Sequence, residues 1–260
     1  MPATHKTLII SNERLSPSVW RLRVKAPAIA REVRPGQFVQ VRVADTYDPL
    51  LRTPLSVHDC DPGQGTIDLL YQTVGTSTQL LSQRQAKTEL SIVGPLGRGF
   101  ALPQPSANGF AILVAGGIGV APLLLLARDL VANGINVRLL YGARTATDLV
   151  GIDAFERLGV AVACCTDDGS YGIAGNVVDL LAGFLQSGAA GEVFACGPNP
   201  MLKALQRLAG QRQFSAQLSL EAYMACGLGV CLGCAVAAPG GGYVHVCTDG
   251  PVFKESEVVL

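Results

Sequence analysis

FAILVAGGIGVAPLLLLA, residues 110–127, decides how this chain folds. It runs for 18 residues without a charge, the length at which an apolar run begins to read as a membrane span. Gly116, Gly117, Gly119 and Pro122 break it in the middle. A buried strand, a glycine turn and a buried helix fit better than one continuous span. Strand, glycines and helix in that order are also what a phosphate-binding turn needs. Gly116, Gly117 and Gly119 let the backbone approach a pyrophosphate, and Pro122 suits the first turn of a helix. The fingerprint is imperfect. Pro122 stands where G-x-G-x-x-G has its third glycine, and the next strand ends in Tyr141-Gly142-Ala143-Arg144 with no carboxylate for a ribose. An ordinary dinucleotide dehydrogenase does not match, and a plain packing turn is the alternative for this loop alone.

Outward from the loop the same rhythm continues from residue 102 to 213. FAILVA, VRLLYGA, VAVACCT and EVFACG read as short buried strands, and LLLLARDLVANG, LVGIDAFERLG, NVVDLLAGFLQ and NPMLKALQRLA as helices. The alternation predicts a doubly wound parallel sheet, with ligands beyond the carboxyl ends of its strands. Cys196, Gly197 and Pro198, in CGPNPM, are expected to close the last parallel strand where a nicotinamide would lie, with Cys196 the candidate beside it. Arg144 is read either as a clasp for a 2′-phosphate or as a solvated helix-entry residue.

Before this region, residues 1–101 read as β. TLIIS, VWRLRVKA, QFVQVRVA, PLSVHD, TIDLLYQTV and ELSIVGPLG alternate polar and apolar residues between turn pairs such as Pro35-Gly36 and Pro62-Gly63. They predict an antiparallel barrel with one short helix, beginning near Thr78 and capped by Ser77 or Thr78. ALPQPSANG is the expected linker. Residues 214–260 form a third, glycine-rich piece, with too few residues for an independent apolar core, so something other than burial is expected to hold it together.

That piece holds four of the eight cysteines: Cys226, Cys231, Cys234 and Cys247. The first three are spaced C-x4-C-x2-C, the plant-type ferredoxin arrangement for a 2Fe-2S cluster. Gly227, Gly229 and Gly233 between them allow the tight wrapping that four converging thiolates require. A four-cysteine zinc site is the alternative, but it is usually built from two C-x2-C knuckles and only one is present. Cys60, Cys164 and Cys165 read as small core residues. Twenty basic and twenty acidic residues cancel, so the electrostatic footprint of a nucleic-acid or anionic-membrane partner is missing. The N-terminal stretch lacks the apolar core of a signal peptide. A cytoplasmic setting is therefore expected, one that keeps thiols reduced and disfavours disulfides.

A hydride carrier and a one-electron cluster in one chain need a converter, and a flavin is the natural one. The barrel offers Arg52 as a fork for phosphate, Ser56 as a hydroxyl for the ring edge and the Gly75–Thr78 turn for a pyrophosphate. A solvated strand end and a plain cap are the bland readings of those features.

The order of barrel, AGGIGVAPL, CGPNPM, SLEAYMACGLGVCLGC and CTDGPVF resembles the electron-transfer subunits of class 1B dihydroorotate dehydrogenases, a branch of the ferredoxin-NADP reductase superfamily, over essentially the whole chain. The resemblance implies FAD, a 2Fe-2S cluster and NAD. It also implies an FMN-bearing catalytic partner that oxidises dihydroorotate in pyrimidine biosynthesis, in a heterotetramer of two copies of each subunit. Electrons would pass from that FMN to the cluster, then FAD, then NAD, and this chain would need no acid or base of its own for dihydroorotate. It aligns Thr53, Pro54, Leu55 and Ser56 with an Arg-Pro-Ile-Ser flavin motif, Leu70, Tyr71 and Gln72 with a strand along the flavin, and Ser77 and Thr78 with the pyrophosphate turn. Thr53 and Gln72 depart from basic residues there, which leaves Arg52 as the expected phosphate cation. Leu55 takes the place of a stacking aromatic found in other branches. Glu221 and Tyr223 are expected between cluster and flavin, or else simply in the strand entering the loop. Two rivals remain: another flavin and iron-sulfur reductase serving a ferredoxin, a sulfide-using complex or an oxygenase, and a zinc-stapled nucleotide-binding regulator.

Overall fold

The computed structural model describes residues 3–102, 110–186 and 191–260. Most of the expected linker, residues 103–109, lies outside the described residues. Six strands, β1 (Ala3–Arg14), β2 (Val19–Lys25), β3 (Phe38–Arg42), β4 (Thr53–Asp61), β5 (Thr66–Gln72) and β6 (Glu89–Leu96), close into an antiparallel barrel in the order β1-β2-β5-β4-β3-β6. Their alternation makes it close. Leu22, Val39, Val41, Leu55, Val57 and Leu69 turn inward into one buried cluster, and their sequence neighbours turn outward. On β3 and β4 the outward set is Phe38 and Gln40 beside Ser56 and Pro54, paired in that register.

Two short helices lie in this region where the sequence predicts one. In α1 (Pro27–Glu32) Pro27 opens the helix and Ile29 and Ala30 are buried, too few turns for a period to show. α2 (Thr76–Ser82) starts two residues before Thr78, with Gly75 as its N-cap. The Thr78 hydroxyl reaches back and accepts the backbone N–H groups of Val74 at 3.0 Å and Gly75 at 3.2 Å, so it closes the first turn from inside.

The second region holds β7 (Phe110–Gly116), α3 (Leu123–Ala132), β8 (Asn136–Ala143), α4 (Ile152–Arg157), β9 (Ala161–Thr166), β10 (Ile173–Ala174), α5 (Val177–Gln186), β11 (Glu192–Cys196), α6 (Asn199–Arg212) and β12 (Ala216–Ser219). The tail adds β13 (Ala235–Ala237), β14 (Tyr243–His245) and β15 (Val252–Lys254). One sheet of order β10-β9-β8-β7-β11-β12-β15 results, parallel except for β15. The run at 110–127 is indeed strand, turn and helix, with a 3-10 turn at Gly117–Val120. No helix among the described residues is long and apolar enough to cross a membrane.

Two expectations are corrected here. β11 is not the last parallel strand, because β12 pairs beside it. Nor is the tail held by something other than burial: it has no core of its own, but Leu218, Leu220, Met224, Val246, Phe253 and Val258 are buried with Val114 and Val193 of the sheet, Leu205 of α6 and Phe38 and Leu96 of the barrel. Those side chains are scattered among glycines and never form a periodic run. Barrel and sheet are also joined directly. His58 donates from Nδ1 to the Ala121 carbonyl at 2.8 Å, and Arg128 of α3 donates to Asp59 at 2.5 Å and to the Cys60 carbonyl at 2.6 Å. Cys60, Cys164 and Cys165 are buried and free. Burial lifts the last two thiols to about 11.

Candidate functional site

The chain reverses its winding between β7 and β11, which are neighbours in the sheet. A crevice of about 820 Å³ opens at that switch point, beyond the carboxyl ends of β7, β8, β9 and β11. Its floor is possible only without side chains. A Cβ on Gly119 would collide with the Cys196 carbonyl and lie 2.7 Å from Gly197 Cα, and a Cβ on Gly116 would meet Met201 Sδ at 2.5 Å. Gly117 has φ +53° and open space before it. Gly116, Gly117, Gly119, Gly197 and Pro198 line the crevice together. Cys196 does not: its side chain is buried, and burial, with Glu221 adding to it, pushes the thiol up to about 12. It supports the floor from behind.

The sequence reading missed much of the rim. Asp167 at the end of β9, Asn176 and Asp179 at the start of α5 and Met201 of α6 all face the crevice, although the polar pair Asp167-Asp168 after a buried strand was a usable signal. Arg144 lies on the rim 3.5 Å from Asp148. Glu221 lines the crevice as well, and burial among its walls holds that carboxyl above the ordinary range.

The four clustered cysteines sit on a loop pressed between barrel and sheet. Gly227 and Gly229 take left-handed conformations with φ +71° and +79°, as the wrapping requires. Gly233 does not, and Leu232 at φ +59° makes that turn instead. The sulfurs fall into two pairs. The Cys231 amide lies 3.4 Å from Cys226 Sγ, and the Cys247 amide 3.4 Å from Cys234 Sγ. Further amides close in, Leu228 on Cys226 and Gly229 on Cys247, each at 3.3 Å. Burial opposes ionisation of Cys226, but the amides of Leu228 and Cys231, the Cys231 thiol and the Val230 amide outweigh it and bring the Cys226 thiol down to about 6. Cys247 goes the other way, to about 11, through burial and its neighbour Cys234. Among the described residues no three His, Cys, Asp or Glu side chains gather round a single point fit for one metal ion. Two sulfur pairs ringed by amides suit a binuclear core, one pair per iron, better than a mononuclear tetrahedral site.

The flavin residues divide between the faces of the barrel. Pro54 and Ser56 lie half-buried on the outward face, and among the described residues the Ser56 hydroxyl makes no hydrogen bond, which leaves it open to a ring edge. Thr53 and Leu55 register with Val41 and Val39, and Leu55 packs inside the barrel. Leu70 is buried facing the sheet. Tyr71 is interior, donates to Asn12 Oδ1 at 3.0 Å and is raised to about 12 by burial, so a flavin would meet its backbone alone. Gln72 lines the crevice and holds Ser18 Oγ at 3.1 Å. Ser77 is half-buried and Thr78 is spent on its cap. Arg52 has no carboxylate partner among the described residues, and burial, with Arg42 nearby, lowers its pKa. It donates across β3 to the Ser91 carbonyl at 2.7 Å and Ser91 Oγ at 2.9 Å. That is the side of β4 away from β5, so the structure does not bring Arg52 and the Gly75–Thr78 turn together. The free Ser56 hydroxyl, the half-buried outward face and the open turn before α2 nonetheless fit a flavin.

A closed barrel beside a parallel sheet with a switch-point crevice, joined to a four-cysteine loop, defines a reductase of the ferredoxin-reductase type that uses FAD, a 2Fe-2S cluster and NAD. Residues 221–259 match the family model for the iron-sulfur cluster binding domain of dihydroorotate dehydrogenase B, and residues 113–207 that for the oxidoreductase NAD-binding domain. The dihydroorotate dehydrogenase B (NAD(+)) electron transfer subunit of Geobacillus thermodenitrificans is 41% identical, with 100% of both chains covered. That of Desulforamulus reducens is 37% identical over 94% of each. Among solved structures, an NADH-dependent reduced ferredoxin-NADP oxidoreductase superposes with TM-score 0.87 at 30% identity, covering 100% of this chain and 91% of the other. The chain belongs to the dihydroorotate dehydrogenase B electron transfer subunit family.

Proposed function

We propose that the chain is the electron-transfer subunit of an NAD-dependent dihydroorotate dehydrogenase and relays electrons from a catalytic partner to NAD in pyrimidine biosynthesis. One observation carries the reading: a single crevice is walled by all three regions, by Val19, Gln72 and Val74 of the barrel, Gly116–Gly119 of the sheet and Glu221 of the segment entering the cysteine loop. When bound there, FAD supplies the exchange between the hydride of a nicotinamide and the single electrons of a 2Fe-2S cluster.

The chain's own residues hold and orient. Cys226, Cys231, Cys234 and Cys247 would ligate the two irons. Pro54, Ser56 and the backbone of Thr53, Leu55, Leu70 and Tyr71 would line the flavin with Gln72, and the turn at Ser77 and Thr78 would receive its pyrophosphate. Gly116, Gly117, Gly119, Gly197 and Pro198 would seat the nicotinamide nucleotide. Four carboxylates, Asp148, Asp167, Asp179 and Glu221, share the crevice with one guanidinium, Arg144. That balance opposes a 2′-phosphate and favours NAD. Functionally the chain divides at 1–101, 102–213 and 214–260, with β12 and β15 of the last part lent to the sheet.

The partner would be the FMN-bearing catalytic subunit, two of each forming a cytoplasmic heterotetramer. Beside the exposed Cys231, Tyr223 (97% exposed), Val230 (80%) and Leu232 (58%) point into solvent. They offer the apolar face such a partner would cover. A ferredoxin in place of that subunit is the second reading, favoured by the full-length likeness to the ferredoxin-NADP oxidoreductase. Anaerobic co-expression with an FMN barrel enzyme, followed by assay of dihydroorotate-dependent NADH formation, tests the proposal. Reduced ferredoxin serving as donor while dihydroorotate does not would select the second reading, and protein without iron or acid-labile sulfide would sink both.

A further inference from the structure

Gln40 is the polar side chain that the reading above leaves without work. It lies in the middle of β3, is 0% exposed, and neither its Nε2 nor its Oε1 has a hydrogen-bond partner among the described residues. A wholly unsatisfied buried amide is destabilising at both its donor and its acceptor, and a leucine would fill the position without that penalty. The amide points somewhere definite. It lies on the outward face of β3, opposite Pro54. On its other side is Gly227, next to the ligand candidate Cys226: a Cβ there would stand 2.8 Å from both Gln40 Cγ and Gln40 Nε2. The amide is thus wedged between the proposed flavin strand and the cysteine loop. The amides that reach the cysteine sulfurs come from Leu228, Gly229, Cys231 and Cys247, all within the loop itself. Pro54, on the other side, offers no donor or acceptor side chain.

We propose that Gln40 is a positioning and tuning residue: the barrel's own hydrogen-bond donor to the cluster, whose Nε2–H, partnered by no cysteine sulfur among the described residues, would be given to the cluster's inorganic sulfide when the cluster is bound beside Gly227. The inference rests on the reading of the four cysteines as 2Fe-2S ligands. A hydrogen bond to cluster sulfur stabilises the reduced, more negative state and raises its potential. Replacing the amide by an apolar group of like shape removes that bias.

The test is a redox titration of the purified complex, followed by electron paramagnetic resonance for the cluster and by absorbance for the flavin. Gln40→Met should disfavour reduction of the cluster about tenfold, which is about 59 mV for one electron, and leave the FAD potential in place. Gln40→Glu, which keeps the shape but adds negative charge, should shift it further the same way. A shift in the flavin alone, or none in either variant, would overturn the assignment. Iron and sulfide content separates the two levels. Wild-type protein lacking both refutes the cluster itself, whereas full content with unchanged potentials refutes only the role of Gln40. Should Gln40→Met fail to fold, Gln40→Glu still decides the question by its potential.

Discussion

Gly119→Ala probes the switch-point floor with a single methyl group. The new Cβ would collide with the Cys196 carbonyl and stand 2.7 Å from Gly197 Cα, about 0.7 Å inside the 3.4 Å at which ordinary contact begins. Both neighbours are backbone at the end of β11, which is held to β7 by the ladder from Glu192 through Cys196. They cannot rotate away as a side chain could. The turn must therefore lift off the strand end, an overpacking cost of about 1–3 kcal/mol, or a loss of about 2–12 °C in Tm. The same lift displaces Gly116–Gly119 relative to Gly197 and Pro198. A misplacement on the ångström scale costs up to about 100-fold in a step that depends on alignment. Titration with NAD and NADH-to-dye kinetics should show binding and kcat/KM falling by about 10- to 100-fold, while iron, sulfide and FAD stay stoichiometric. Wild-type NAD affinity in the variant would refute the claim that this floor carries the nucleotide, and loss of FAD instead would relocate the site.

Cys231→Ala removes a proposed ligand whose side chain is exposed, so little packing is lost. Iron and sulfide should disappear while NADH-to-dye activity is largely kept, and loss of both would mean that the loop also supports the flavin site. Gly183→Ala, in the exposed middle of α5 with nothing within 4 Å of the new Cβ, should add about 0.5–1 kcal/mol by helix propensity. A lower Tm would show that this face is covered in the native assembly. His58 is buried and its pKa is lowered by that burial. The unfolded chain gains a proton as pH falls through about 6.5 and the folded one does not, so His58 stabilises fully above that pH and the benefit shrinks below it, down to the folded value. Melting between pH 7.5 and 5.5 should fall by up to about 1.4 kcal/mol per pH unit from this group, and His58→Gln should flatten the slope. Parallel slopes for the two proteins would discard the argument.

The cysteine spacing was legible because four thiolates on one small core must come from a short, glycine-rich segment, and such a segment shows itself by residue type alone. The barrel and the sheet were legible for a related reason: the period of two in TIDLLYQ and the uniform burial of FAILVA are local, and each strand carries its own pattern. The α2 boundary was not, since Thr78 acts three residues inside the helix instead of at its cap. Nor were β12 and β15, whose four and three residues are too short to carry a period and become strands only because β11 offers a free edge.

The sequence by itself determined the strands of the barrel, the strand-helix alternation of the sheet, the clustering of Cys226, Cys231, Cys234 and Cys247 and the glycine turn at 116–119, all of which follow from residue type and spacing along the chain. Tertiary structure alone decided which faces meet: that Arg52 reaches to Ser91 and away from α2, that Tyr71 and Leu55 turn into the barrel, that Asp167 and Asp179 join the crevice, and that Gln40 ends against Gly227. Each of those contacts joins residues on separate strands, helices or loops. Their meeting is fixed by the closure of the barrel and the winding of the sheet, which no single stretch of sequence encodes.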